Sequence, residues 1–122
     1  MTFKFFSVVA TALIASLAGA AEPTVSLNVV YPNHEGAKFD TIYYRDKHIP
    51  LCMTVMKPTS VTLTVGLPNG DNAAPFAMIA HFEFASAEAM KAALGSPAMA
   101  DLRADLPNFT DIKPIVMQGK SL

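Results

Sequence analysis

An α+β fold is what this sequence predicts, and three observations carry it. Segments 24–31, 60–66 and 76–84 alternate apolar and polar side chains with the period of two that a half-buried strand requires. Two intervening segments, one opening at Phe39 and one at Ala87, repeat apolar residues at helical spacing instead. A last apolar run, IKPIVMQ (112–118), supplies a fourth strand. The order is therefore β-α-β-β-α-β, the ferredoxin-like arrangement in which two helices cover one face of a four-stranded antiparallel sheet.

The elements follow an N-terminal segment that reads as an export signal. MTFKFFSVVATALIASLAGA has one positive residue, Lys4, then an uncharged run from Phe5, then the small residues Ala18-Gly19-Ala20 of a cleavage site. A membrane span needs about 20 strongly apolar residues. This run is shorter and holds Ser, Thr and Gly. The expectation is a signal peptide over 1–20 and one domain over 21–122, periplasmic or secreted, with no stable membrane insertion after cleavage. No cysteine follows the apolar run, which closes the lipoprotein route.

In strand one, Val25, Leu27, Val29 and Tyr31 share a face opposite Ser26, Asn28 and Val30. Pro32 to Gly36 is turn chemistry. Phe39, Ile42 and Tyr43 then fall at i, i+3 and i+4, the spacing of a helix face turned to the core. Pro50 lacks an amide hydrogen and biases Ile49 away from the helical region, so a kink or restart is expected there. Strand two sets Val61, Leu63 and Val65 against Thr62 and Thr64, and a Pro-Asn-Gly loop leads to strand three. That strand opposes Phe76, Met78, Ala80, Phe82 and Phe84 to Ala77, Ile79, His81 and Glu83. Ser86 is a plausible N-cap for the helix 87–94, which Gly95 ends. A shorter helical piece, 97–106, stops before Pro107, and Pro114 puts the last strand at an edge or irregular position.

Composition narrows the function. Setting aside Lys4 from the nine basic residues leaves eight against ten acidic ones, a net charge near −2, so no basic surface for nucleic acid is implied. The single cysteine, Cys52, excludes an internal disulfide. On its apolar stretch it reads as a packed small hydrophobe. There is no Gly-rich phosphate loop and no HExxH, CxxC or HxH spacing, so neither a cofactor nor a metal is expected. A sheet covered on one side leaves its other face exposed, and a homodimer through that face is the expected remedy.

The run VVYPNHEGAKFDTIYYRDKHIPL resembles the opening block of the EthD family, with Tyr31-Pro32, Gly36, Phe39-Asp40, Tyr43-Tyr44 and His48-x-Pro50-Leu51 in the family's order. AMIAHFEFASAEAM and DLPNFTDIKPIV resemble its later blocks, so the likeness spans about 25–118. The resemblance implies a dimeric α+β barrel and either an accessory oxidoreductase or an acid/base enzyme of cyclase or isomerase type, acting in a degradation pathway on a small hydrophobic organic molecule. Members are often labelled reductases without a defined reaction, and relatives with the same barrel include haem-binding enzymes. The leader departs from the usual cytoplasmic member.

Two groups of residues are candidates for a site. Asp40, Tyr44 and His48 fall at i, i+4 and i+8 and form a titratable stripe apart from Phe39, Ile42 and Tyr43. A phenol and an imidazole held together make an acid and base pair. On the bland alternative Asp40 starts the helix, Tyr44 lies on the surface and His48 satisfies carbonyls freed at Pro50. The second group, His81 and Glu83 with Asn28 and Thr62 or Thr64, lies on the strand face opposite the phenylalanines. It lines a barrel interior on one reading and is a solvated polar cluster on the other. The catalytic candidates are thus His48, Tyr44 and His81, and the substrate-binding candidates Asp40, Asn28, Glu83 and Thr64. A non-catalytic carrier with the same pocket and a structural dimer without a ligand are the alternatives.

Overall fold

Strand β1 (Val25–Pro32) lies inside the sheet, hydrogen-bonded to a neighbouring strand along each of its two edges. Leu27 and Tyr31 are buried under the helices, while Ser26, Asn28 and Val30 belong to the opposite face. In the computed structural model, which describes residues 23–122, the sheet order is β2-β3-β1-β4, with β2 at Ser60–Val65, β3 at Phe76–Phe84 and β4 at Ile115–Lys120. Every neighbouring pair is antiparallel. The expected leader over 1–20 lies outside the described residues. The two long apolar strands are central and the two six-residue strands are edges, as the α+β ferredoxin-like order requires. Among the described residues no helix is long and apolar enough to cross a membrane.

The last strand begins later than expected. Residues 112–114 stay outside the ladder, since Pro114 has no amide hydrogen to give it, and β4 opens at Ile115. Ile112 is buried in the core instead.

The first helix differs more. Thr41–Tyr43 is α-helical, Tyr44–His48 is a π turn and Ile49–Met56 is α-helical again, one continuous helix, α1. Pro50 does not interrupt it. The Ile49 amide reaches back five residues to the Tyr44 carbonyl, and Ile49 stays right-handed at φ −63°, ψ −44°. The wider π turn gives the proline ring room against the preceding turn and absorbs its missing hydrogen bond. It also adds a residue to one turn and so rotates the earlier residues relative to the later ones. Hence Tyr44, His48, Ile49, Cys52 and Met56 face the core, whereas Ile42, expected there, is 57% exposed. Phe39 precedes the helix, half-buried and bridged to Thr110. Lys57 closes α1 in the left-handed region at φ 54°.

Helix α2 (Ala87–Leu94) starts as its sequence predicts, with the Ser86 hydroxyl accepting the Ala89 amide at 3.0 Å, and Gly95 caps its end. Helix α3 (Met99–Asp105) passes into a 3₁₀ turn, Leu106–Asn108, which carries Pro107 where the helix was expected to stop. The core is the layer between sheet and helices, where Leu27, Met78, Ala80, Phe82 and Phe84 meet Met56, Met90 and Leu102. On the other side of the sheet nothing among the described residues covers the row Ile79, Val30 and Ile115, set side by side by the strand register.

Candidate functional site

The π turn places His48 with its ring turned into the protein, its side chain 6% exposed. Its Nδ1 lies 2.8 Å from Oδ2 of Asp105, the last residue of α3. The other carboxylate oxygen of Asp105 accepts the Tyr43 hydroxyl at 2.7 Å and the Asn108 amide at 2.9 Å. Burial would raise the Asp105 pKa, but the hydrogen bonds from Asn108, Tyr43 and His48 outweigh it and hold the carboxyl below the usual range. An ionised Asp105 accepts a hydrogen from Nδ1, which leaves Nε2 as the ring nitrogen free to take or give a proton. Among the described residues Nε2 has no hydrogen-bond partner. The ring is also fixed by packing: it stacks on Tyr44 at 5.4 Å and 21° and tilts against Phe109 at 4.6 Å.

This imidazole forms part of the wall of a cavity of about 130 Å³ between the helices and the inner face of the sheet. Leu27, Val29, Phe82, Leu94 and Leu102 make most of its lining apolar, and Tyr31, Tyr44, His48 and Arg103 are its main polar groups. The volume is close to that of an apolar protein cavity known to admit benzene, about 150 Å³. Desolvation by burial raises the pKa of both Tyr44 and Tyr31, whose hydroxyls also interact with each other. Both stay neutral phenols, suited to donate a hydrogen bond and not to act as bases. Burial pushes the Cys52 thiol up to about 12, so it is an inert part of the wall.

Of the residues singled out in the sequence, Tyr44 and His48 come together here. Asp40 does not join them: its carboxylate caps α1 by accepting the Tyr43 amide at 3.0 Å, and it borders an open surface groove beside Phe109. His81 lies across the sheet. Its Nδ1 is 2.6 Å from the Asn28 side-chain oxygen and its Nε2 is 3.3 Å from Glu83. Thr64 is on that same face, paired with Ile79. The sheet therefore separates His81, Asn28, Glu83 and Thr64 from His48, and the two groups are not one site within a single chain. Among the described residues no group of three or more His, Cys, Asp or Glu is placed to hold a metal ion.

Asp105 is the functional candidate that sequence reasoning missed. It opens DLPNF, part of a block already notable for its family likeness, but no spacing rule connects that carboxylate to His48. Tyr43, assigned to the core, turns out to serve this carboxylate as well.

The chain matches the family model described as EthD domain over residues 36–113. It is similar to the crystal structure of an EthD-like protein from Ralstonia eutropha, at 30% identity and TM-score 0.73, covering 81% of this chain and 92% of that one. An EthD family protein from Bacillus halodurans superposes with TM-score 0.64 at 16% identity, covering 81% of this chain and 99% of that one. A protein from Arabidopsis thaliana does so with TM-score 0.59 at 16% identity over 80% and 95%. At those identities the last two show a shared fold alone. No curated protein matches the chain.

Proposed function

The chain belongs to the EthD family, and on that premise we propose that it is an acid/base enzyme acting on a small hydrophobic carbonyl compound held in the cavity beside His48. The observation that carries this is the pairing of a buried His48 with a partly buried, ionised Asp105 on an apolar wall. In such a site the imidazole Nε2 removes a proton from the carbon next to the carbonyl and later returns it, while the carboxylate orients the ring and stabilises the imidazolium. The Tyr44 or Tyr31 hydroxyl serves the developing enolate oxygen as a neutral donor. That chemistry underlies both isomerisation and cyclisation. Of the two activities implied by the resemblance, the dyad favours acid and base catalysis over redox chemistry.

The test is exchange of the α-hydrogens of a small ketone such as cyclohexanone in D₂O, followed by NMR. The protein should accelerate exchange, and His48→Gln should lower that acceleration about 10²-fold. Saturable binding with no exchange by the unmodified protein would replace the enzyme by a carrier, the second reading, which the largely apolar lining favours. Homodimerisation through the open sheet face and export directed by residues 1–20 complete the proposal. Mass spectrometry of protein expressed with its leader should find a chain beginning at Ala21 or Glu22, and uncleaved protein in the membrane would count against export.

A further inference from the structure

Helix α3 carries a charge where its pattern calls for an apolar side chain. Met99, Leu102, Arg103 and Leu106 stand at i, i+3, i+4 and i+7, the stripe that a helix turns toward a core, and all four line the cavity beside His48. Three of them are apolar. The fourth is an arginine whose guanidinium forms no ion pair among the described residues. The helix offers it none: one turn away on either side stand Met99, Ala100, Leu106 and Pro107. Arg103 is solvent-exposed, as is Val116, which lines the same cavity, so the two mark its rim.

We propose that Arg103 selects the ligand, and that the ligand is a small, mostly apolar carboxylic acid whose carboxylate lies on the Arg103 guanidinium while its apolar part fills the cavity. This rests on the cavity beside His48 being the binding site. The planar guanidinium matches a carboxylate with two parallel hydrogen bonds, and an apolar wall behind it weakens competition from water. The arrangement also separates recognition from chemistry. An anion anchored at the rim keeps its negative charge away from the ionised Asp105, which lies behind the His48 ring. It leaves the ring or chain carbons of the acid to meet His48.

The probes are benzoate and benzamide, which share shape and differ in charge at neutral pH, titrated separately into the purified protein by NMR. Benzoate should bind about tenfold more tightly than benzamide, the effect of one charge-assisted contact at a partly solvated site. Arg103→Gln should abolish that preference by weakening benzoate binding, with thermal melting confirming that the variant is folded. His48→Gln should keep the preference. Equal affinity for the two probes in the unmodified protein, or a preference that survives Arg103→Gln, overturns the role of Arg103 and leaves the cavity standing. If neither probe binds, the cavity reading falls and takes this inference with it.

Discussion

His48 and Asp105, 57 residues apart in the chain, meet with Nδ1 2.8 Å from Oδ2, and two further side chains hold the carboxylate in place. Replacing Asp105 by Asn keeps the shape but removes the charge that stabilises an imidazolium. In the ketone exchange assay Asp105→Asn should cost about 10²-fold or more in rate, with binding of a neutral probe little changed. A variant as active as the parent would reduce the pair to a structural contact.

The same carboxylate gives the fold an acid limit. Its folded pKa lies below the ordinary aspartate value, so its contribution to stability is complete above that value and fades as pH falls through the lower folded one. Denaturant titrations from pH 6 downward should therefore show stability falling from about pH 4, and the fall should be shallower in Asp105→Asn. Identical profiles for the two proteins would contradict the assignment.

Alkaline chemistry should report burial. With the Cys52 thiol pushed up to about 12, Ellman's reagent at pH 8 should leave native protein unreacted and titrate one thiol after unfolding in guanidinium. Tyr31 and Tyr44, raised by desolvation, should show no phenolate absorbance at the ordinary tyrosine pKa of about 10. Rapid native labelling would mean that the helix layer opens readily.

The π turn in α1 makes a prediction that a regular helix would reverse. Ile42→Ser, at an exposed position, should change stability by no more than about 0.5 kcal/mol. Phe82→Ala, in the core, should cost roughly 3 to 5 kcal/mol. Equal losses in urea melts would place Ile42 back in the core.

Dimerisation is the remaining expectation. Ile115 and Met117 are more than half exposed, and Ile115 extends the row begun by Ile79 and Val30. Light scattering at micromolar concentration should return twice the chain mass, and Ile79→Lys should halve it by placing a charge in that apolar row. A monomeric parent protein would refute the homodimer.

Local pattern was enough to determine the sheet. Alternation in β1 and β3 sorts Leu27, Tyr31 and Phe82 from Asn28 and His81, and that pattern survives in the fold because a strand's side chains have only two directions. Ser86 and Gly95 likewise bound α2 through hydrogen bonds that reach no farther than four residues. For α1 the residues were legible but their facing was not. A proline in a helix has two outcomes, a break or a widened turn, and packing of Tyr44 and His48 against Phe109 selects the second. The candidate site divides the same way. His48 stood out by its chemistry, whereas Asp105 became its partner, and Arg103 the cavity's rim, only when α3 folded back across α1. A contact over 57 residues leaves no periodicity in a sequence, since the meeting depends on the path of every element between them.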